Sequence, residues 1–177
     1  MTLRLGIGIL IFSMFLGCAS SYDRAKPYVN TATEHYNAQQ WEQCIEACNQ
    51  ALAIYPDFTN ALSMRGFAKH KAGFPAAEAL ADLDSALAQY HGRNGKMYLQ
   101  RAYVRYDTGM YQGAEKDCFE AIRYFEARGF NPDLIGAQRR SGKAVEINLG
   151  DDVDGYWGQL KKEAVELLGL VQKAMEE

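Results

Sequence analysis

Small and apolar residues in the middle of the chain fall into columns spaced by 35. Cys44, Ala79 and Ala114 form one; Cys48, Leu83 and Cys118, then Ala51, Ala86 and Ala121, then Leu52, Leu87 and Ile122 form three more. A second set, Tyr28, Leu62 and Tyr98 with Ala32, Gly66 and Ala102, is spaced by 34 and 36. The mismatch inserts one residue into the middle unit between its halves, at Gly73-Phe74-Pro75, and a loop is where a chain tolerates insertion. Within a unit, Ala79, Leu83, Ala86, Leu87 and Tyr90 follow the i, i+4, i+7, i+8, i+11 face of a helix. The pattern predicts three helix–loop–helix units. None can bury its apolar stripe alone, so neighbours must stack.

Beyond residue 126 the register is lost. Asn131-Pro132-Asp133 reads as a helix start, but Gly136 and Gly142 weaken any helix over 134–148. Leu149-Gly150-Asp151-Asp152 reads as a turn. Tyr156, Trp157, Leu160, Ala164, Leu167, Leu168 and Val171 then mark a strongly amphipathic helix, with Lys161, Lys162, Glu163 and Glu166 on its other side. Its expected role is to cap the open end of the stack; a docking helix for a partner is the alternative.

Residues 25–126 closely resemble the tetratricopeptide repeat (TPR) pattern. The small residue midway along each first helix is Ala32, Gly66 or Ala102. The glycine before each second helix is Gly73 or Gly109, with Gln39 in its place in the first unit. Trp41 and Tyr111 supply the aromatic that opens the second helix, Ala79 and Ala114 its early alanine, with Cys44 standing in, and Pro56 the closing proline. The resemblance implies an all-α solenoid of about three helical hairpins, over residues 26–128, with an irregular segment and the capping helix over 129–177. It also implies a concave groove lined by the first helices, for a protein or peptide partner.

The amino terminus reads as an address. One basic residue, Arg4, precedes twelve uncharged residues, 5–16, too few for the roughly 20 of a membrane-crossing helix and suited to a secretory signal. Phe15-Leu16-Gly17-Cys18 then resembles the lipobox of bacterial lipoproteins. That resemblance implies a signal peptide over 1–17, acylation of Cys18, and a lipidated tether over 18–25. Ala19 and Ser20 follow, with no aspartate, which by the same resemblance points to the outer membrane and its periplasmic face. Several acyl chains, each buried CH₂ contributing about 0.8 kcal/mol, suffice to hold a small domain on a bilayer.

The formal net charge is −3, so no overall positive field exists to attract nucleic acid. The charges are nonetheless sorted. Lys26, Arg65, Lys69, Lys71, Lys96, Arg101 and Arg105 fall on the expected first helices, whereas Glu42, Glu46, Glu78, Asp82, Asp84, Glu115, Asp117, Glu120 and Glu126 fall on the second. A basic inner layer favours an acidic or extended peptide partner. By family geometry the groove presents Lys26, Val29, Thr33 and Tyr36, then Ser63, Phe67, His70 and Lys71, then Lys96, Leu99, Tyr103 and Tyr106. Of these, Lys26, Tyr36, Phe67, His70, Lys71, Lys96, Tyr103 and Tyr106 form the candidate binding set. The lysine–asparagine–arginine clamp of chaperone-binding TPR domains is matched only at Lys96; Val29, Thr33, Met64 and Gln100 depart from it.

Nothing in the sequence points to catalysis or a cofactor. His35, His70 and His91 have no metal-site spacing, and the remaining carboxylates read as solvated helix faces. Cys44 and Cys48, at i and i+4, could clasp a metal or report redox state, which makes a thiol- or metal-responsive envelope protein the alternative function. The small-residue columns they occupy favour buried apolar packing instead. A further alternative is an obligate subunit whose last helix completes another protein's stack.

Overall fold

The computed structural model describes residues 20–92, 94–128 and 156–177. Seven helices and no strand occur among them: α1 (Ser21–Asn37), α2 (Trp41–Ile54), α3 (Thr59–Lys71), α4 (Ala76–Gln89), α5 (Gly95–Asp107), α6 (Tyr111–Arg128) and α7 (Tyr156–Glu176). The expected signal peptide over 1–17, Cys18, the segment 134–148 and the turn expected at 149–152 lie outside the described residues.

The hairpins α1–α2, α3–α4 and α5–α6 stack in chain order. The repeat columns are their buried seams. Ala32, Ala102, Cys44, Ala79, Ala114, Cys48, Leu83, Cys118, Ala51, Ala86 and Ala121 are all fully buried. At Gly66 even a methyl group is excluded, because a Cβ would lie 2.8 Å from the Ala79 carbonyl oxygen and 2.9 Å from Leu83 Cγ. Glycine at that crossing sets how closely α3 and α4 approach.

The hairpin turns explain the slip in register. Three residues separate α1 from α2 and α5 from α6, but four separate α3 from α4. Just past each first helix the chain enters the left-handed region, at Gln39 (φ 56°), Gly73 (φ 79°) and Gly109 (φ 76°). Glycine reaches that conformation without strain; Gln39 does so against its Cβ.

One boundary differs from the sequence expectation. The segment 18–25 was expected to be a tether, yet α1 already begins at Ser21. Ser20 caps it, its Oγ accepting from the Asp23 N–H at 3.1 Å, which satisfies one of the free donors of the first turn. At the other end, α7 lies along α6 and touches α5. Leu160, Ala164, Leu167 and Val171 are buried there with Leu99, Cys118 and Phe125. It stands where the first helix of a fourth hairpin would stand and closes the stack.

Curvature follows from which helices touch. Among the described elements α1 contacts α3, α3 contacts α5 and α5 contacts α7, whereas α2, α4 and α6 make no contact with one another. The first helices therefore form the tighter, inner layer, and their outward-facing side is the concave face.

Candidate peptide-binding groove

The basic inner layer is largely spent on the fold. Arg65 grips Asp82 with two hydrogen bonds, Nε–Oδ2 at 2.8 Å and Nη2–Oδ1 at 2.7 Å, and its third nitrogen reaches Asn49 on the preceding hairpin at 2.9 Å. One repeat later Arg101 holds Asp117 in the same way, at 2.9 and 2.6 Å, and reaches back to Asp84. Arg105 adds a bond to Asp117 at 2.7 Å, and Lys69 pairs with Asp82 and Glu78. Arg65 and Arg101 thus each tie their own hairpin to the one before it, while Arg105 works within its own. The Asp82 carboxylate holds the Arg65 guanidinium above its ordinary pKa. The basic inner layer expected from the sequence is thereby reduced: Arg65, Lys69, Arg101 and Arg105 are neutralised by carboxylates of the second helices.

What remains on the concave face is aromatic. Tyr36 of α1, Phe67 of α3 and Tyr103 of α5 form a row, with ring centroids 6.0 Å apart between the first two and 6.4 Å between the last two. Trp41 joins it edge-on to Tyr36 at 5.7 Å and to Phe67 at 6.4 Å. Two lysines lie over these rings. The Lys71 ammonium is 5.3 Å from the Phe67 centroid and 5.9 Å from that of Tyr103; the Lys96 ammonium is 5.4 Å from Tyr36. Such cation–π placements keep the ammonium groups over the groove while leaving them hydrated.

A buried polar chain fixes the floor. Ser63 Oγ donates to Gln100 Oε1 at 2.6 Å, and Gln100 Nε2 donates to the Tyr36 hydroxyl at 2.9 Å. This orients the Tyr36 ring from two repeats away. No sequence pattern announced it, because Ser63 and Gln100 become partners only when α3 and α5 lie side by side.

The remaining predicted residues divide. His70 lies against the Phe67 ring, centroids 6.3 Å apart, and its Nε2 is 2.8 Å from Asp107 Oδ2, so it is engaged within the stack. Tyr106 packs on Tyr111 at 6.0 Å and against the cluster under α7. Lys26 is exposed on α1 and joins none of the ring contacts. Val29, Ser63 and Leu99, placed in the groove by family geometry, are instead buried between helices. The α7 end has a feature the sequence reading missed: burial and the Glu163, Glu166 and Asp107 carboxylates raise the Tyr103 phenol pKa.

The thiols are closed off. Cys44, Cys48 and Cys118 have no exposed surface, and none is in a disulfide. A hydrogen bond to Cys44, together with burial, raises Cys48, and burial pushes Cys118 up to about 12. The same contact with Cys48 lowers Cys44, so the thiolate is disfavoured at Cys48 and Cys118, while complete burial closes Cys44 to reagents. No group of three or more His, Cys, Asp or Glu able to hold a metal occurs among the described residues. No described helix is long and apolar enough to cross a membrane.

No protein-family profile matches the sequence, and no curated protein matches it. Solved structures do. The Sgt2 TPR domain from Aspergillus fumigatus superposes with a TM-score of 0.61 at 16% identity, covering 90% of this chain and 84% of that one. The Arabidopsis OM64 TPR domain gives 0.55 at 19% identity, covering 68% and 96%. The TPR2B domain of yeast Sti1, solved as a complex with pHsp70, gives 0.54 at 17% identity, covering 81% and 97%. Buried repeat columns, left-handed hairpin turns and these superpositions together establish that the chain has the tetratricopeptide-repeat fold, an all-α solenoid of three hairpins closed by a C-terminal helix.

Proposed function

We propose that the protein is a non-catalytic interaction module that takes an extended peptide along its concave face, and that acylated Cys18 holds it in the bacterial cell envelope. The single observation that carries the groove reading is the row Tyr36–Phe67–Tyr103, one ring from each hairpin, with Lys71 and Lys96 poised above it. Rings supply contact area at low entropic cost, and the two ammonium groups select a partner with carboxylates opposite them. The Sti1 domain in complex with pHsp70 supports a peptide as the kind of ligand such a fold accepts. Anchoring rests on the lipobox-like Phe15-Leu16-Gly17-Cys18 and places the groove at the periplasmic face of the outer membrane. Confinement to two dimensions raises the effective concentration of partners, as a linker would. The complete burial of Cys44 and Cys48 weighs against the thiol-responsive alternative.

Lys71→Glu combined with Lys96→Glu is expected to abolish capture of the acidic partner by cross-linking in intact cells, with the melting temperature unchanged. Recovery of the same proteins by wild type and variant overturns the groove reading. Labelled palmitate should enter the wild-type chain and be absent from Cys18→Ser; equal labelling overturns the anchor.

A further inference from the structure

We propose that an aromatic patch at the start of the solenoid lies against the lipid headgroups and fixes the orientation of the domain on the bilayer. The inference rests on acylation of Cys18. The patch is built from three hairpin ends. Tyr22 in the first turn of α1 stacks on Phe58 at 4.9 Å with an interplanar angle of 18°. Tyr55, just past α2, meets both rings edge-on, at 6.0 and 5.9 Å. Tyr90, just past α4, shares with them a cleft of about 180 Å³ that Asp57, Thr59 and Asn60 complete.

The platform is stiff. Gln89 at the end of α4 accepts from the Thr59 hydroxyl and donates to Asp57 Oδ1 at 3.3 Å, tying the α2–α3 turn to the next hairpin. Yet two of its rings are left in water: Tyr22 is 47% and Tyr90 40% exposed. Tyrosine pairs an apolar ring with a hydroxyl, the combination that settles at the membrane–water interface.

The length of the tether selects the bilayer as the occupant. The capped helix begins immediately after Ser20, so Cys18 and Ser20 are two residues apart. At roughly 3.3–3.6 Å per residue, an acylated Cys18 lies within about 7 Å of Ser20. Tyr22 is in the turn that follows. A lipid-bearing Cys18 therefore cannot leave this end of the molecule far from the headgroups. The Arg24 and Lys26 cations, exposed on α1, offset the Asp23 and Asp57 carboxylates near the patch, so no net negative charge repels the surface. The far ends of the hairpins are held away from the bilayer. Phe74 lies beyond the other end of α3, about 20 Å along that helix from the patch, and is 43% exposed.

The test uses the full-length acylated protein in vesicles of phosphatidylethanolamine and phosphatidylglycerol, with and without lipids brominated near the acyl carbonyl. Tyr22→Trp and Phe74→Trp serve as reporters, each in a chain whose Trp41 and Trp157 are Phe. Bromine quenches only by near contact. Emission from Tyr22→Trp is expected to fall roughly twofold or more in the brominated vesicles, while emission from Phe74→Trp stays the same. Quenching at neither reporter, or equally at both, in a protein whose Cys18 carries acyl chains by mass spectrometry overturns the docking and leaves the anchor standing. A Cys18 without acyl chains overturns both.

Discussion

Asp117 shows how a side chain that reads as surface charge becomes structural. Its side chain is 3% exposed and its two oxygens take three hydrogen bonds, two from Arg101 and one from Arg105. Truncating it leaves Arg105 without a carboxylate and Arg101 with only Asp84, and breaking such a partly buried network costs about 3–5 kcal/mol. Asp117→Ala is therefore expected to lower stability by that order in urea denaturation, whereas Glu120→Ala, whose partner Arg123 is solvent-exposed, should change it by less than about 1 kcal/mol. The recurrence of Asp82 and Asp117 at the repeat spacing was visible in the sequence. Their partners were not, because helical periodicity gives the side on which a carboxylate lies but not whether an arginine from another helix reaches it. The neighbouring Cys118 gives a pH signature. Its folded-state pKa, about 12, lies above the ordinary thiol value near 9, so the unfolded chain loses this proton first as pH rises. The contribution is intact below pH 9 and is lost between 9 and 12. Cys118→Ala should flatten the fall in melting temperature across that window.

The hairpins themselves were legible, since small residues at a fixed period predict close helix crossings and the structure buries those columns. The shift from 35/35 to 34/36 marked the one extra residue of the α3–α4 turn. Gly66 is the strictest of these positions. A methyl there runs into the Ala79 backbone, which cannot rotate away, so α3 must lift from α4. Gly66→Ala is expected to destabilise the protein by about 1–3 kcal/mol in chemical denaturation despite the better helix propensity of alanine. Where the chain departs from its own pattern, the backbone conformation persists: Gln39 adopts the left-handed turn that glycine takes in the other two hairpins. The lipobox resemblance implied a tether over 18–25, and the Ser20 cap starts the helix within it. A serine three residues before an aspartate at a helix start is a local signal, and it outweighed the polar character of the segment.

At the scale of the whole molecule, the inner and outer layers follow from contacts between first helices that the second helices do not make. The concave face that results is more aromatic and less basic than the linear charge pattern suggests. The double charge reversal at Lys71 and Lys96 addresses that face because these two cations lie over groove rings, with none of the carboxylate clasps that hold Arg65, Arg101 and Arg105. By itself the sequence determined the repeat, the hairpin turns, the apolar stripe of the last helix and the sorting of charge between layers, because each is a matter of spacing along one chain. Only the tertiary structure decided which arginines are consumed by carboxylates, that Ser63 and Gln100 reach across repeats to Tyr36, and that Tyr22, Tyr55, Phe58 and Tyr90 meet at one end. Those are contacts between residues tens of positions apart, and their partners are chosen by how the helices stack.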